Sequence, residues 1–87
     1  MDKKIKILYV CSNNNIPGLK CLDWYKTLKN VLKNGVSMEK NMIETPYAII
    51  DFVYRKPLFT LKYDRVLNAD KHGNDALLLA MATGKDY

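Results

Sequence analysis

The sequence predicts an α+β fold: a small β-α-β-β-α domain in which a mainly antiparallel three-stranded sheet packs against two helices. Two observations carry this expectation. Apolar residues alternate with a period of two in KIKILYVC (4–11) and YAIIDFVYR (47–55). Between these segments, apolar residues recur at three- and four-residue spacing through 19–34. The 87 residues make a single domain, 1–87, with room for one modest core and no large insertion.

The first strand places Ile5, Ile7 and Tyr9 on one face and Lys4 and Lys6 on the other. Leu8 and Val10 interrupt the polar face, as in a strand covered on both sides near its end. SNNNIPG ends it, since asparagine, proline and glycine favour turns. In the helix, Leu22, Tyr25, Leu28 and Leu32 form the core stripe, with Trp24 and Val31 alongside, and Asn34-Gly35 supplies the stop. Residues 36–46 read as polar and irregular. The second strand, 47–55, sets Ala48, Ile50, Phe52 and Tyr54 against Tyr47, Ile49, Asp51, Val53 and Arg55. Beyond Lys56-Pro57, LFTLKYD is expected to pair back as a hairpin, with Phe59, Leu61 and Tyr63 inward. Val66-Leu67 extends that strand or begins another. After the turn-rich NADKHGN, Asn74 or Gly73 caps a short helix, DALLLAMAT, which Gly84 stops.

Charge is the strongest functional signal. Fourteen basic and nine acidic side chains give a net +5. Residues 1–44 hold eight lysines against four acids, or +4, and residues 45–87 hold six basic against five acidic, or +1. Such a balance points to an anionic partner, although small domains also carry this much charge for solubility. Lysine outnumbers arginine twelve to two, which suits phosphate attraction better than bidentate base reading. The same bias follows from AT-rich coding.

On the first helix, Lys26, Lys29 and Lys33 fall within about 60° of one another at roughly 100° per residue. Lys29 and Lys33 also suit the helix dipole. Lys3, Lys4 and Lys6 extend the basic set at the N-terminus, and Arg55, Lys56, Lys62 and Arg65 extend it around the expected hairpin. There they interleave with Tyr54 and Tyr63, and aromatic residues beside cations suit single-stranded nucleic acid. Both tyrosines, however, fall on the expected inner faces.

Catalytic apparatus is sparse. Cys11 and Cys21 form no C-x-x-C pair, and with His72 as the single histidine they offer no zinc site. KILYVCSNNNIPG lacks the glycine pattern of a phosphate-binding loop, and position 17 is proline where a cysteine phosphatase needs arginine. No segment reads as a secretory signal, and none reaches the roughly 18 apolar residues of a membrane span.

The run Asp70-Lys71-His72-Gly73-Asn74-Asp75-Ala76-Leu77 has an H-x-x-D-A order opening an apolar helix. It resembles the last metal-binding motif of RuvC-like nucleases of the RNase H fold. That resemblance implies a carboxylate at the helix start holding a divalent metal; Asp51 on the second strand is a candidate second carboxylate, although two-metal sites want several converging acids. The first strand lacks the acidic residue that fold requires.

The expected function is therefore that of a small, cofactor-free, non-enzymatic protein that binds RNA or another nucleic acid. Compact size, the lack of a catalytic set and AT-rich coding are typical of phage or mobile-element proteins that inhibit a host system. The expected partner is a nucleic acid or a host nucleoprotein in the cytoplasm, with no membrane. One alternative is a reduced metal nuclease using Asp51, Asp70, His72 and Asp75. The other is a homodimeric inhibitor without nucleic acid. The last helix is apolar almost all round, and Leu77, Leu78, Leu79 and Met81 are its candidate dimer surface.

Overall fold

The computed structural model describes residues 4–12 and 14–85. Among these, seven elements follow in order: β1 (Ile5–Val10), α1 (Pro17–Leu32), β2 (Ser37–Glu39), β3 (Met42–Glu44), β4 (Ala48–Val53), β5 (Arg65–Asn68) and α2 (Asn74–Ala82). The strands form one five-stranded mixed sheet in the order β2-β3-β4-β1-β5. β1 runs parallel to both its neighbours, β4 and β5. β2, β3 and β4 form an antiparallel meander. The α+β class stands, and the expected three-stranded antiparallel sheet is corrected to this larger mixed one.

The correction has a physical origin in β4. One of its edges is taken by β1 and the other by β3. Residues 58–64, expected as its hairpin partner, find both edges occupied and form no strand. The two apolar residues that interrupt the polar face of β1 reflect its role as a central parallel strand, because such strands are enclosed on both faces. Ile7, Leu8 and Tyr9 are accordingly all fully buried. The segment read as irregular supplies β2 and β3, joined through Lys40 at a φ of 55°. No Asn-Gly or Asp-Gly pair marks that tight turn in the sequence.

Register decides the layers. Ile7 pairs with Ile50, Tyr9 with Phe52 and with Leu67, and Ile50 with Ile43, so these side chains share one face. Both helices pack there: Cys21 and Leu28 of α1 join Leu78, Met81 and Ala82 of α2 in the same buried cluster. The Tyr9 ring lies 5.1 Å from Phe52 and 6.3 Å, edge-on, from Trp24, within the range of favourable aromatic pairs.

The opposite face carries Lys6, Leu8 and Val10 of β1 with Asp51 and Val53 of β4. No helix lies there, and the 54–64 connection supplies the cover. The Tyr63 hydroxyl donates to the Asp51 carboxylate at 2.6 Å. The Lys6 N–H donates to the Asp64 carboxylate at 2.8 Å, and the Asp64 N–H donates to the Lys6 carbonyl at 2.7 Å. Of the three residues expected inward, Tyr63 alone is partly buried, whereas Phe59 and Leu61 face solvent. Tyr54, expected inside, is also exposed.

Two contacts lock the C-terminal helix to the sheet. Thr45, fully buried between β3 and β4, donates its hydroxyl to the Ala82 carbonyl at 2.8 Å. Gly84 follows at a φ of 82°, with the Tyr47 ring so close that a Cβ there would lie 2.6 Å from it. No helix among the described residues is long and apolar enough to cross a membrane.

Candidate nucleic-acid interface

The lysine face of α1 is set by what the helix buries. Pro17 opens it at the first turn, where its missing N–H costs nothing. Pro17, Cys21 and Leu28 are buried, and Trp24 and Tyr25 pack against the core beside them. The stripe thus runs through Cys21 and Trp24, while Leu22, expected in it, is half-buried and outside the core cluster. At about 100° per residue, Lys26 then lies on the side away from the sheet and Lys29 on the flank beside Tyr25, and both are exposed. Lys29 Nζ sits 5.3 Å from the centre of the Tyr25 ring.

Lys33 departs from the expected geometry. The helix ends at Leu32, and Lys33 is its C-cap at a φ of 69°, its N–H donating to the Lys29 carbonyl. Its side chain is exposed at the same end of α1 but no longer follows the helical register.

The remaining cations do not join this face. Lys4 pairs with Glu44 in the only ion pair among the described residues. Lys6 is exposed on the far face of the sheet. Arg55, Lys56 and Lys62 lie on the 54–64 connection and Arg65 begins β5, all exposed. Lys62 Nζ is 5.2 Å from the Tyr63 ring centre. Lys3 lies outside the described residues. The nine of these basic residues that are described therefore form no single patch. One set lies on the helix layer, Arg55, Lys56 and Lys62 gather on a connection rooted on the opposite side of the sheet, and Arg65 is in register with Ile7 on the helix-bearing face.

The proposed metal ligands are similarly divided. Asp75 opens α2 on the helix side and accepts a hydrogen bond from the Tyr9 hydroxyl at 2.6 Å. Asp51 lies on the far face, held by Tyr63. The sheet thus stands between them. Asp70 and His72 occupy the exposed turn before Gly73, which caps α2 at a φ of 86°. No group of three or more histidine, cysteine or acidic residues among those described could hold a metal.

The sequence did not signal the Tyr9–Asp75 link, because the two residues are 66 positions apart and each has a sufficient local explanation. Burial first, and then the neighbouring carboxylate, push the Tyr9 phenol far above its ordinary range. The Tyr63 phenol rises to about 12 for the same two reasons, with Asp51 as its neighbour. Beside Asp75 is a cleft of about 320 Å³ lined by Lys20, Asp23, Trp24, Thr27 and Leu79.

Both cysteines are free and buried. Burial raises the Cys11 thiol, although Lys20 opposes the shift, and pushes the Cys21 thiol to about 11. Neither is an activated nucleophile at neutral pH.

Within the protomer α2 is largely enclosed. Leu78 and Met81 are buried, and Leu77 and Leu79 are half-buried against the core. The layer geometry explains this, since α2 packs onto a five-stranded sheet and beside α1 in the same layer. Only the outer parts of Leu77 and Leu79 remain available to a second copy. Comparison with known protein families, with curated proteins and with solved structures finds no match for this chain.

Proposed function

We propose that the protein is a non-enzymatic binding domain that engages RNA through the outer face of α1. The observation that carries this reading is the cluster of Lys26, Lys29 and Lys33. All three are exposed along the C-terminal half of α1 and its cap, and none is neutralised by a carboxylate among the described residues. Ammonium groups of this kind attract phosphate without reading bases. Asp51 and Asp75 lie on opposite sides of the sheet and do not converge on one metal, which favours binding over the nuclease reading.

Three neutralised phosphates on a single strand give a slope of log K against log salt of about −2. Fluorescence anisotropy with a labelled single-stranded RNA, titrated at several salt concentrations, measures it. The variant Lys26→Glu/Lys29→Glu/Lys33→Glu is expected to lose binding while keeping the wild-type circular dichroism, because exposed charge changes cost little stability. Binding that ignores salt, or that survives the triple reversal, refutes the reading.

A further inference from the structure

The connection between β4 and β5 exposes apolar side chains in a way the rest of the surface does not. Leu58 is 95%, Phe59 80% and Leu61 96% exposed. Single exposed hydrophobic residues are ordinary. Three large ones within four positions, almost wholly in water, form a local apolar tip that calls for a partner.

The tip is anchored. Tyr63 binds Asp51, and Asp64 makes two hydrogen bonds with the Lys6 backbone. The Tyr63 N–H closes a turn onto the Thr60 carbonyl at 3.0 Å. At the other end the chain leaves directly from β4. Both roots of the connection are therefore held to the sheet while the tip extends from it.

Charge surrounds the tip. Arg55 and Lys56 precede it and Lys62 follows it, all exposed, whereas Arg65 already belongs to β5, in register with Ile7 on the other face. The single acid in the same stretch, Asp64, has its carboxylate engaged by the Lys6 N–H. The collar is thus strongly positive.

We propose that this connection is a membrane-docking element. Leu58, Phe59 and Leu61 enter the boundary between headgroups and acyl chains, and Arg55, Lys56 and Lys62 meet the phosphates of an anionic leaflet. The chemistry selects this partner. Leucine has no π-face on which a base could stack, so Phe59 alone among the three could serve nucleic acid. A second copy would bring two positive collars together. An anionic bilayer satisfies both features at once, apolar tip below and cations above. Insertion is shallow because backbone N–H and C=O groups cannot enter hydrocarbon unpaired. The expectation of no membrane partner rested on the lack of a spanning segment, which peripheral docking does not need. The connection roots on the sheet face opposite α1, so this proposal is independent of the RNA-binding reading and compatible with it.

Sedimentation with vesicles tests it, comparing phosphatidylcholine alone with phosphatidylcholine containing phosphatidylserine. The wild-type chain is expected to sediment with the anionic vesicles, weakly or not at all with the neutral ones, and less as salt rises. Each of Leu58→Ser, Phe59→Ser and Leu61→Ser should lower partitioning about ten-fold or more. Each of Arg55→Gln, Lys56→Gln and Lys62→Gln should lower it about five-fold. These sites are exposed, and circular dichroism checks that each variant remains folded. No sedimentation with anionic vesicles at low salt overturns the proposal, as does sedimentation unchanged in the triple serine variant. Loss of RNA binding in that variant, without vesicle binding in the wild type, reassigns the tip to nucleic acid and also overturns it. An apolar tip that sediments with neither vesicle but pulls the chain into a dimer overturns it in favour of self-association.

Discussion

Thr45→Val isolates one polar junction on which the packing of α2 depends. Valine matches threonine in shape, but it has no hydroxyl. In the native chain that hydroxyl donates to the Ala82 carbonyl at 2.8 Å. It accepts from the Ala48 N–H at 3.0 Å and the Tyr47 N–H at 3.1 Å. All its hydrogen-bonding capacity is in use. The substitution strands three backbone groups, two of which belong to the fully buried Ala48 and Ala82. Tyr47 is exposed, so its N–H can turn to water. Each buried orphan costs about 1–3 kcal/mol, so the variant should lose about 2–6 kcal/mol. A domain of this size has a total stability of roughly 4–13 kcal/mol, which makes the loss a large share of the margin. At about 4–8 °C per kcal/mol, the Tm should fall by roughly 10 °C or more. Thr45→Ser keeps the hydroxyl and removes one buried methyl group, for about 1 kcal/mol. Urea denaturation with tryptophan fluorescence, alongside thermal circular dichroism, measures both. A valine variant within about 1 kcal/mol of wild type, or a serine variant as unstable as the valine one, would refute the argument.

The remaining predictions concern other parts of the molecule. Leu28 is fully buried in the stripe that holds α1 to the sheet. Leu28→Ala should cost about 2–5 kcal/mol in urea denaturation, and a near-neutral result would remove that stripe from the core. Gly84→Ala should destabilise by about 1–3 kcal/mol, because φ is 82° and the new Cβ would meet the Tyr47 ring; Tyr47→Ala should relieve the clash but not the backbone strain. Tyr63, with its folded pKa raised to about 12, favours the folded state while protonated. That contribution is complete below the unfolded tyrosine value near 10 and fades as pH rises from there towards 12. Tyrosinate absorbance should therefore show a late-titrating component that shrinks by one tyrosine in Tyr63→Phe, the remainder belonging to Tyr9. Sedimentation at micromolar concentration tests association through Leu77 and Leu79, and a strictly monomeric mass excludes it.

Much of this protein is legible in local pattern. The alternation in 4–11 and 47–55 places β1 and β4, and even the double-sided apolar character of β1 shows in Leu8 and Val10. Helical spacing locates α1, and Gly73 and Gly84 bracket α2, because caps and periodicity act within one turn. The exposed lysines of α1 are also a local matter, set by the stripe the helix must bury. Strand pairing is different. Residues 58–64 alternate as well as many true strands do, yet they remain outside the sheet because β1 and β3 occupy both edges of β4. Met38, Met42 and Ile43 look like part of a polar loop and become a hairpin because that second edge is open to them. Competition for a limited number of edges is a property of the whole chain, and no window of sequence contains it. The same holds for which charges share a face. The layer assignment of β1, β4 and both helices divides the described basic residues and sets Asp51 and Asp75 on opposite sides of the sheet. Composition supplies the charge and the apolar tip, local periodicity turns the α1 lysines outward, and the sheet order decides on which side of the molecule each set lies.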